Sequence, residues 1–595
     1  MKCRMTAIAL AVSAVALATT AAAGGGSILQ TRATDAEKAA VAETRTYLER
    51  LEKLGFAGVV MVARGDTPLL AEGYGLADRE RGLRWTPATA ASTGSITKQF
   101  TGAAILELEE DGRLAVTDPV SKYFEGVPAD KAAITLHQLL THSSGLSDPP
   151  DIGDYDPVPL DEFVRRVLAQ PLLFDPGHGY EYANANFSLL GAIIEKLSGL
   201  SYEEFVRERL FLPNGMYETG YILPQWGPGR EAQGYADGKL WGTIMSRPKA
   251  ADGPHWALRA NGGIQSTAYD MMRWSRALLG GRVLSPASMA KFWAPHVDEG
   301  GGTFYGYGWS IAKAPDGTKI VTHNGSNGIF FADLAIVPDA DLVVFLMTNV
   351  AAETRVAATL LRKIGMRFLA GEPLPAIPAI VDLPPAALDA LAGVYRLPGK
   401  AGAYRLTIGA RRDGSPALFI EAEGERAFAV LNSVGAAPAG RLDRVTKATA
   451  GIVAANMKGD FRPLFKAYGG EIPVERLKAG WAQATGELEA EVGKIARYEV
   501  LGTARTDERD ETVVRFHGEK GAFVWTYAWD AESEGRLLGR SVRGLAVRQM
   551  LYASGEREFF TWDGGIRPPK SVRIETLNDG RLALRLDASG DAAVR

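Results

Sequence analysis

Hydrophobic and polar positions alternate in two distant parts of the chain, whereas between those parts they repeat at helical spacing. Thr34–Leu54, ahead of the first alternating part, has the pattern of an amphipathic helix. Strands on both sides of a helical segment predict an α+β domain over residues 33–370, with one antiparallel sheet flanked by helices. The predicted strands are Phe56–Ala63, Leu69–Tyr74, Ile329–Val337 and Leu342–Thr348.

Three of the predicted helices between these strands have clear terminal signals. Ser95 begins the first helix. Ser201 and Glu204 have the spacing of a capping box at the start of the second. Thr267 and Asp270 have the same spacing at the start of the third, which Gly280 ends.

The pattern changes after residue 370. Recurrent prolines predict a linker over 371–387. Short alternating strands then predict a small β-barrel-like domain that is split in sequence, over 388–438 and 548–592. Between its two parts, helical patterns over Leu442–Phe465 and Pro473–Gln483, followed by four strands, predict an inserted α+β domain over 440–547.

The N-terminal residues have the features of a signal peptide. Lys2 and Arg4 precede an apolar stretch over 7–18, and three alanines at 21–23 offer a small-residue cleavage site. A signal peptide over 1–26 predicts export to the periplasm or the medium. The alternative is an uncleaved N-terminal anchor, although the stretch is short for a membrane span.

The net charge and the numbers of cysteine and histidine residues limit the classes of ligand and cofactor that this chain can be expected to bind. The formal net charge is −4 and the basic residues are scattered, so nothing indicates nucleic-acid binding. The single cysteine, Cys3, precedes the apolar stretch, so cleavage would leave no thiol for disulfides or catalysis. No two histidines have metal-ligand spacing, and no other apolar run is long enough to cross a bilayer. We expect no metal or cofactor, and a small-molecule or peptide substrate.

The first candidate for chemistry is Ser95 with Lys98. A serine at a helix start and a lysine three positions later lie on one face, one turn apart. A lysine whose pKa is lowered by burial can take the proton of the serine hydroxyl and make it a nucleophile. Taken alone, an N-cap serine beside a surface lysine is the simpler interpretation.

The second candidate is Tyr182 with Asn184, just after a Pro–Gly turn and before a helix. Both side chains can project from a loop into a cleft, where the phenol can pass a proton and the amide can bind substrate and lysine. Alone, the pair fits a packed tyrosine and a turn asparagine equally well.

The third candidate is the segment from His323 to Gly328, before a predicted strand. Gly325 permits close backbone approach by a ligand. A histidine there can shuttle a proton or donate to a carboxylate, and the alternative is a buried structural histidine.

The combination is more specific than its parts. Ser-x-x-Lys, then Tyr-x-Asn, then His-x-Gly on an edge strand resembles the serine β-lactamase and penicillin-binding protein superfamily, in particular class C β-lactamases, DD-peptidases, D-aminopeptidases and esterases. The resemblance covers about residues 40–360. Four framework segments also match in order: 134–146, 212–216, 262–267 and 305–309.

The resemblance implies a role for each residue. Ser95 would attack a carbonyl and form an acyl-enzyme, with Lys98 and Tyr182 sharing the proton transfers. Asn184 would orient substrate and lysine. The oxyanion hole would consist of the backbone N–H groups of Ser95 and Ser326.

One departure bears on the substrate. β-Lactamases of this type usually have Lys-Thr-Gly where this chain has His323, Asn324 and Gly325. A neutral histidine binds a substrate carboxylate less well than a permanent cation does. We therefore expect a peptidase or esterase rather than an efficient β-lactamase. His137 and His142 are interpreted as framework residues.

The C-terminal units resemble accessory domains of some family members, a small lipocalin-like barrel and an α+β cone seen in many small-ligand proteins. Trp525, Tyr527 and Trp529 alternate on one predicted strand of the cone, which favours a core stripe over a ligand pocket. The alternative function is a catalytically silent binding protein that uses these domains. The presence of all four residues Ser95, Lys98, Tyr182 and Asn184 argues against it.

Overall fold

The computed structural model describes residues 33–595, apart from 237, 315, 353–355, 401, 412–413, 434–436, 439, 507–508, 532–534, 542–546, 563–568 and 587–591. The predicted signal peptide and Cys3 lie outside the described residues, so export stays a prediction. Within the described part of the chain, no helix combines the length and the apolar character that crossing a membrane requires.

The N-terminal part consists of helices packed on an antiparallel sheet, as predicted. Its helices are α1 (Asp35–Lys53), α2 (Thr97–Glu110), α3 (Leu136–Leu140), α4 (Leu160–Ala169), α5 (Asn184–Ser198), α6 (Tyr202–Val206), α7 (Ala268–Leu279), α8 (Pro286–Phe292) and α9 (Ala357–Leu369). Its strands are β1 (Gly58–Arg64), β2 (Thr67–Tyr74), β3 (Leu76–Asp78), β4 (Leu83–Arg84), β5 (Ala91–Ser92), β6 (Gly234–Ala236), β7 (Lys239–Gly242), β8 (Gln265–Ser266), β9 (Val297–Gly300), β10 (Thr303–Tyr305), β11 (Ser310–Lys313), β12 (Lys319–Ser326), β13 (Phe331–Val337) and β14 (Leu342–Thr348).

The main sheet has eight strands in the order β2-β1-β14-β13-β12-β11-β10-β9, so strands from distant parts of the sequence are adjacent at its centre. Gly58 pairs with Thr348 and Arg64 with Leu342. Successive side chains on these strands point to opposite faces. One face packs against the helical segment between β2 and β9, and the other against α1 and α9.

The predicted caps are present. Ser201 accepts from the Glu204 amide and Glu204 reciprocates, which forms the capping box of α6. At the start of α7 only half of the predicted box forms: Thr267 accepts from the amide of Asp270, whereas the Asp270 carboxylate accepts from the Glu218 amide and Thr219 Oγ1 instead. The bonds that Ser201 and Thr267 accept satisfy amide groups that a helix leaves without partners at its N-terminus.

The prediction that His323 lies on an edge strand is wrong for the strand as a whole. β12 lies between β13 and β11. β11, however, pairs only with residues 319–322 of it, whereas β13 pairs on to Ser326. The end of β12 that carries His323 to Ser326 therefore has a locally open side, because β11 is too short to cover it.

The C-terminal part contains a second sheet that closes on itself and a third that stays open. In chain order its elements are α10 (Pro385–Leu391), β15 (Gly393–Arg396), β16 (Ala403–Ala410), β17 (Pro416–Glu423), α11 (Glu425–Asn432), α12 (Arg441–Asn456), α13 (Arg462–Ala467), α14 (Val474–Val492), β18 (Arg497–Arg505), β19 (Arg509–His517), β20 (Ala522–Asp530), β21 (Leu537–Ser541), β22 (Arg548–Ala553), β23 (Glu558–Thr561), β24 (Lys570–Thr576), β25 (Leu582–Leu586) and β26 (Ala593–Val594).

Eight of these strands form a closed barrel, β15-β16-β17-β22-β23-β24-β25-β26, which confirms the predicted fold class for the C-terminal region. β17 and β22 are neighbours in the barrel although residues 424–547 separate them in sequence. The proline-rich segment ahead of the barrel is not a free tether, because Lys53 Nζ on α1 donates to the Ile380 carbonyl at 3.2 Å.

Between β17 and β22, the helices α12, α13 and α14 share a core with the sheet β18-β19-β20-β21. The helical pattern predicted over Leu442–Phe465 is broken in two, because Gly459 adopts a φ of 80° between α12 and α13. Trp525, Tyr527 and Trp529 are all buried in the core of this unit.

Candidate active site

Ser95 lies at the junction of two helical turns. A 3₁₀ turn over Gly94–Ile96 leads directly into α2, and Gly94 has a φ of 53°, which a residue with a side chain adopts at a cost. Thr97 Oγ1 donates to the Gly94 carbonyl at 2.8 Å and holds the turn. Ser95 is partly exposed, whereas Lys98 one turn later is fully buried.

The Lys98 amine has three oxygen neighbours. Its Nζ lies 3.1 Å from Ser95 Oγ, 2.8 Å from Asn184 Oδ1 and 2.8 Å from the Asn261 carbonyl. Burial lowers the pKa of Lys98 to about 7, against the opposing effect of nearby carboxylates. A neutral amine has two N–H donors and one lone pair. It can therefore donate to the two carbonyl oxygens and accept the proton of the Ser95 hydroxyl.

Tyr182 lies over the same amine. Lys98 Nζ is 4.8 Å from its ring centroid. Although 37% of the residue's surface is exposed, its phenol is surrounded by protein, and this desolvation raises the pKa of Tyr182. A hydrogen bond with Ser95 opposes the rise. The phenol thus stays protonated at neutral pH while it touches the serine hydroxyl.

Asn184 is the first residue of α5 and is held by a carboxylate that sequence reasoning missed. The preceding residue, Ala183, has no side chain that can cap the helix. Asp148 supplies the cap from a distant loop, accepting from the amides of Asn184 at 3.2 Å and Ala185 at 2.7 Å. Its negative charge also raises the pKa of Lys98, against the larger effect of burial.

Two further groups support the site. His142 is buried and its ring lies 4.3 Å from that of Tyr182, centroid to centroid. Its Nδ1 accepts from the Ala183 amide at 3.2 Å, and burial lowers the pKa of His142 well below the ordinary histidine value. Asn261 is fixed by its own amide group, which donates to Ser188 Oγ and to the Ala257 carbonyl, both at 2.8 Å.

The end of β12 passes very close to the Ser95 turn. A Cβ placed on Gly325 would lie 2.0 Å from the Thr93 carbonyl oxygen and 2.4 Å from the Ser95 nitrogen. A Cβ on Gly94 would lie 2.6 Å from the Ser326 nitrogen. The two backbone segments can approach this closely because Gly94 and Gly325 have no side chains. Their contact brings the amides of Ser95 and Ser326 into one small region.

His323 lies next to this contact but faces inward. Its Nδ1 donates to the Asn324 carbonyl at 2.5 Å, since a carbonyl oxygen can only accept. Its Nε2 therefore accepts from the Tyr305 hydroxyl at 2.9 Å. Burial, reinforced by Lys98, lowers the pKa of His323 to about 3. The ring is neutral, both nitrogens are used within the protein, and a contact between His323 and substrate stays a prediction.

Two loops meet at the mouth of the cleft. Tyr155, between α3 and α4, accepts from Asn327 Nδ2 at 3.0 Å, just beyond the end of β12. Its ring lies 5.9 Å from that of Trp241 on β7. The segments that carry Tyr155 and Trp241 are thus in contact beside Ser326. Among the described residues, no three His, Cys, Asp or Glu side chains are grouped so that they could hold a metal ion.

The arrangement brings together Ser95, Lys98, Tyr182 and Asn184 from two helices and a loop, and places Gly325 and Ser326 against them. A family model described as Beta-lactamase matches residues 43–365, more than half of the chain. That range contains every one of these residues.

Individual relatives of the chain are penicillin-binding proteins, in agreement with the family model. The chain is 32% identical over 262 residues to the putative penicillin-binding protein PbpX of Bacillus subtilis (strain 168), and 29% identical over 300 residues to penicillin-binding protein 4* of the same strain. These alignments cover 44% and 47% of this chain, and 64% and 65% of the relatives, so just under two thirds of each relative is matched.

A solved structure extends the likeness in fold. The octameric penicillin-binding protein homologue from Pyrococcus abyssi superposes with a TM-score of 0.51 at 18% identity, covering 94% of this chain and 100% of that one. The family model, the relatives and this fold lead to one conclusion: the chain belongs to the serine β-lactamase and penicillin-binding protein superfamily.

Proposed function

We propose that the chain is a serine acyl-hydrolase in which Ser95 forms an acyl-enzyme with an amide or ester substrate. The observation that carries this proposal is the buried Lys98 amine, 3.1 Å from Ser95 Oγ and with a pKa lowered to about 7. A base of that pKa is half neutral near physiological pH, where general base catalysis is most effective.

In the acylation step, Lys98 Nζ takes the proton of Ser95 Oγ as the oxygen attacks the carbonyl carbon of the substrate. The bond from that carbon to the leaving nitrogen or oxygen then breaks. Tyr182, which stays protonated because its pKa is raised, donates a proton to the leaving group. The proton on Lys98 returns to Tyr182. Asn184 holds Lys98 in place through the 2.8 Å bond to its Oδ1.

The negative charge that develops on the carbonyl oxygen needs donors. We assign this role to the backbone N–H groups of Ser95 and Ser326, which the contact between Gly94 and Gly325 brings close together. One such donor is typically worth about a hundredfold or more in rate. In the second step water attacks the acyl carbon and passes a proton to Lys98. The bond from that carbon to Ser95 Oγ then breaks, Lys98 returns the proton to Ser95 Oγ over the 3.1 Å that separates the two atoms, and the carboxylic acid leaves.

The neutral His323 informs the choice of substrate. A substrate carboxylate would find no cation at this position, because the ring carries no charge and both its nitrogens are occupied. We therefore propose small esters or peptides as better substrates than β-lactams.

A hydrolysis panel tests this choice, with nitrocefin, p-nitrophenyl esters and D-alanyl anilides as substrates. We expect ester hydrolysis to exceed nitrocefin hydrolysis, with all activity lost in Ser95→Ala. Faster turnover of nitrocefin would refute the assignment that rests on His323.

A further inference from the structure

The inserted unit contains a partly buried cation, Arg540, far in sequence from Ser95, and its Nη1 atom is fully buried. Arg540 lies on β21, the last strand of its open sheet, directly opposite Tyr527 on β20. Residues that pair across strands project to the same face. Because Tyr527 is fully buried, Arg540 also points to the inner face of the sheet, which packs against α14.

Two tryptophans frame the guanidinium group. Its carbon atom lies 5.3 Å from the ring centroid of Trp481 and 5.1 Å from that of Trp525. The two rings stand edge to face, 5.0 Å apart. The two distances from the guanidinium carbon to the rings are within the range of a cation–π interaction, which holds the guanidinium in place without using its N–H groups.

The polar atoms of this cluster are unusual because they lack well-formed hydrogen bonds. Arg540 Nη1 and the Tyr527 hydroxyl are both buried, and neither has a hydrogen bond of ordinary length and angle within the part of the chain that the structure describes. The two side chains face each other: the charge of Arg540 and a weak hydrogen-bond contact with it oppose the rise in the pKa of Tyr527 that burial causes. Buried polar groups are nearly always hydrogen-bonded, and a charged group without a partner is costly.

Other arginines of the same unit are paired. Arg441 donates to Asp510 at 2.6 Å in the interior, and Arg536, at the start of the same hairpin arm, lies 3.6 Å from Glu471 on the surface. The unit can therefore supply a carboxylate where a buried arginine needs one for the fold. At Arg540 the described residues supply aromatic rings instead.

We propose that Arg540 and Tyr527 form a binding site for a small organic carboxylate. The planar guanidinium presents parallel N–H groups that match the two oxygens of a carboxylate, and the phenol hydroxyl can donate a further hydrogen bond. Trp481 and Trp525 form an apolar wall for the organic part of the ligand. This site is independent of Ser95 and goes beyond the hydrolase function.

Calorimetric titration of the full chain with sodium benzoate tests the proposal. We expect benzoate to bind the wild-type chain, and Arg540→Met, which keeps the length of the side chain without its charge, to weaken binding at least about tenfold. Tyr527→Phe weakens it by a smaller factor, since it removes one hydrogen-bond donor. The control Arg536→Met, which removes a surface arginine of the same hairpin, leaves the affinity within twofold.

Each alternative result overturns the proposal. Benzoate that binds wild type and Arg540→Met equally, or fails to bind wild type, excludes the site. Equal losses in Arg536→Met and Arg540→Met would indicate a general charge effect. Inorganic phosphate that binds through Arg540 more tightly than benzoate would exclude the assignment to organic carboxylates. Ester hydrolysis that is unchanged in folded Arg540→Met separates this test from that of the Ser95 proposal.

Discussion

Two cations in this chain, each with a buried nitrogen atom, have opposite surroundings. Lys98 in the N-terminal domain has three oxygen atoms within 3.1 Å, one from each of Ser95, Asn184 and Asn261. Arg540 in the inserted unit contacts two aromatic rings and leaves Nη1 without a hydrogen bond of ordinary length among the described residues. The Lys98 amine has hydrogen-bond partners within the protein. The Arg540 guanidinium is held in position by aromatic rings, but its Nη1 has no hydrogen-bond acceptor at ordinary length among the described residues.

The difference separates a group prepared for chemistry from a group prepared for binding. Around Lys98, the hydrogen bonds fix the amine against the serine and burial lowers its pKa, so little rearrangement is needed for proton transfer. A guanidinium cannot act in this way, because it stays charged at every accessible pH. Its unused N–H groups are suited to an anion.

The largest effect is expected from Lys98→Met, which keeps the shape of the side chain and removes the amine. We expect kcat/KM for ester hydrolysis to fall by about three orders of magnitude, because the serine loses its base. Lys122→Met, at a half-exposed lysine paired with Asp118, is the matched control and should stay within twofold of wild type. Comparable losses in both variants would remove Lys98 from the mechanism.

The two cations should also differ in what they contribute to stability. Asn184→Ala removes an acceptor from the buried Lys98 and should cost about 1–3 kcal/mol, seen as a lower melting temperature of the N-terminal domain by calorimetry. Arg540→Met removes only the weak contact with Tyr527 and no hydrogen bond of ordinary length at Nη1, so the melting temperature of the inserted unit should be unchanged or higher in the absence of carboxylates. A loss in Arg540→Met as large as that in Asn184→Ala would show that the arginine is a structural element.

A smaller effect is expected in the pH dependence. Neutral Lys98 is the base, so kcat/KM should rise with pH and reach half its plateau near pH 7. Asp148 raises the pKa of Lys98, and Asp148→Asn should therefore move this midpoint to lower pH. The control Asp156→Asn, an exposed residue of the same loop, should leave the midpoint in place. A shift to higher pH in Asp148→Asn would contradict the electrostatic role.

Much of the fold could be predicted because the sequence pattern has two clear periods. Alternation predicted the central hairpins, and helical spacing with caps at Ser201 and Thr267 predicted the helices between them. The position of β12 could not be predicted, since the short strands β9–β11 have too few residues for a periodic signal. The break between α12 and α13 depends on one glycine, Gly459.

The site residues that belong to short sequence motifs could be predicted. Those that reach the site from distant parts of the chain, outside any motif, could not. Asn261 contributes its backbone carbonyl, which its residue type does not indicate. Asp148 caps α5 from a distant loop. The sequence indicates only that a cap must come from elsewhere, because Ala183, which precedes α5, has no side chain that can accept a hydrogen bond. The inward orientation of His323 depends on Tyr305, which the sequence places in a framework segment.

The central claim, that Ser95 is the acylated nucleophile, is tested most directly by mass spectrometry after labelling the full chain with a fluorophosphonate and with a fluorescent penicillin. The account predicts one covalent adduct, on the peptide that contains Ser95, which is lost in Ser95→Ala and kept in Ser326→Ala. An adduct on another residue, or none with either probe, would contradict the account and favour a binding protein that keeps the fold without the chemistry.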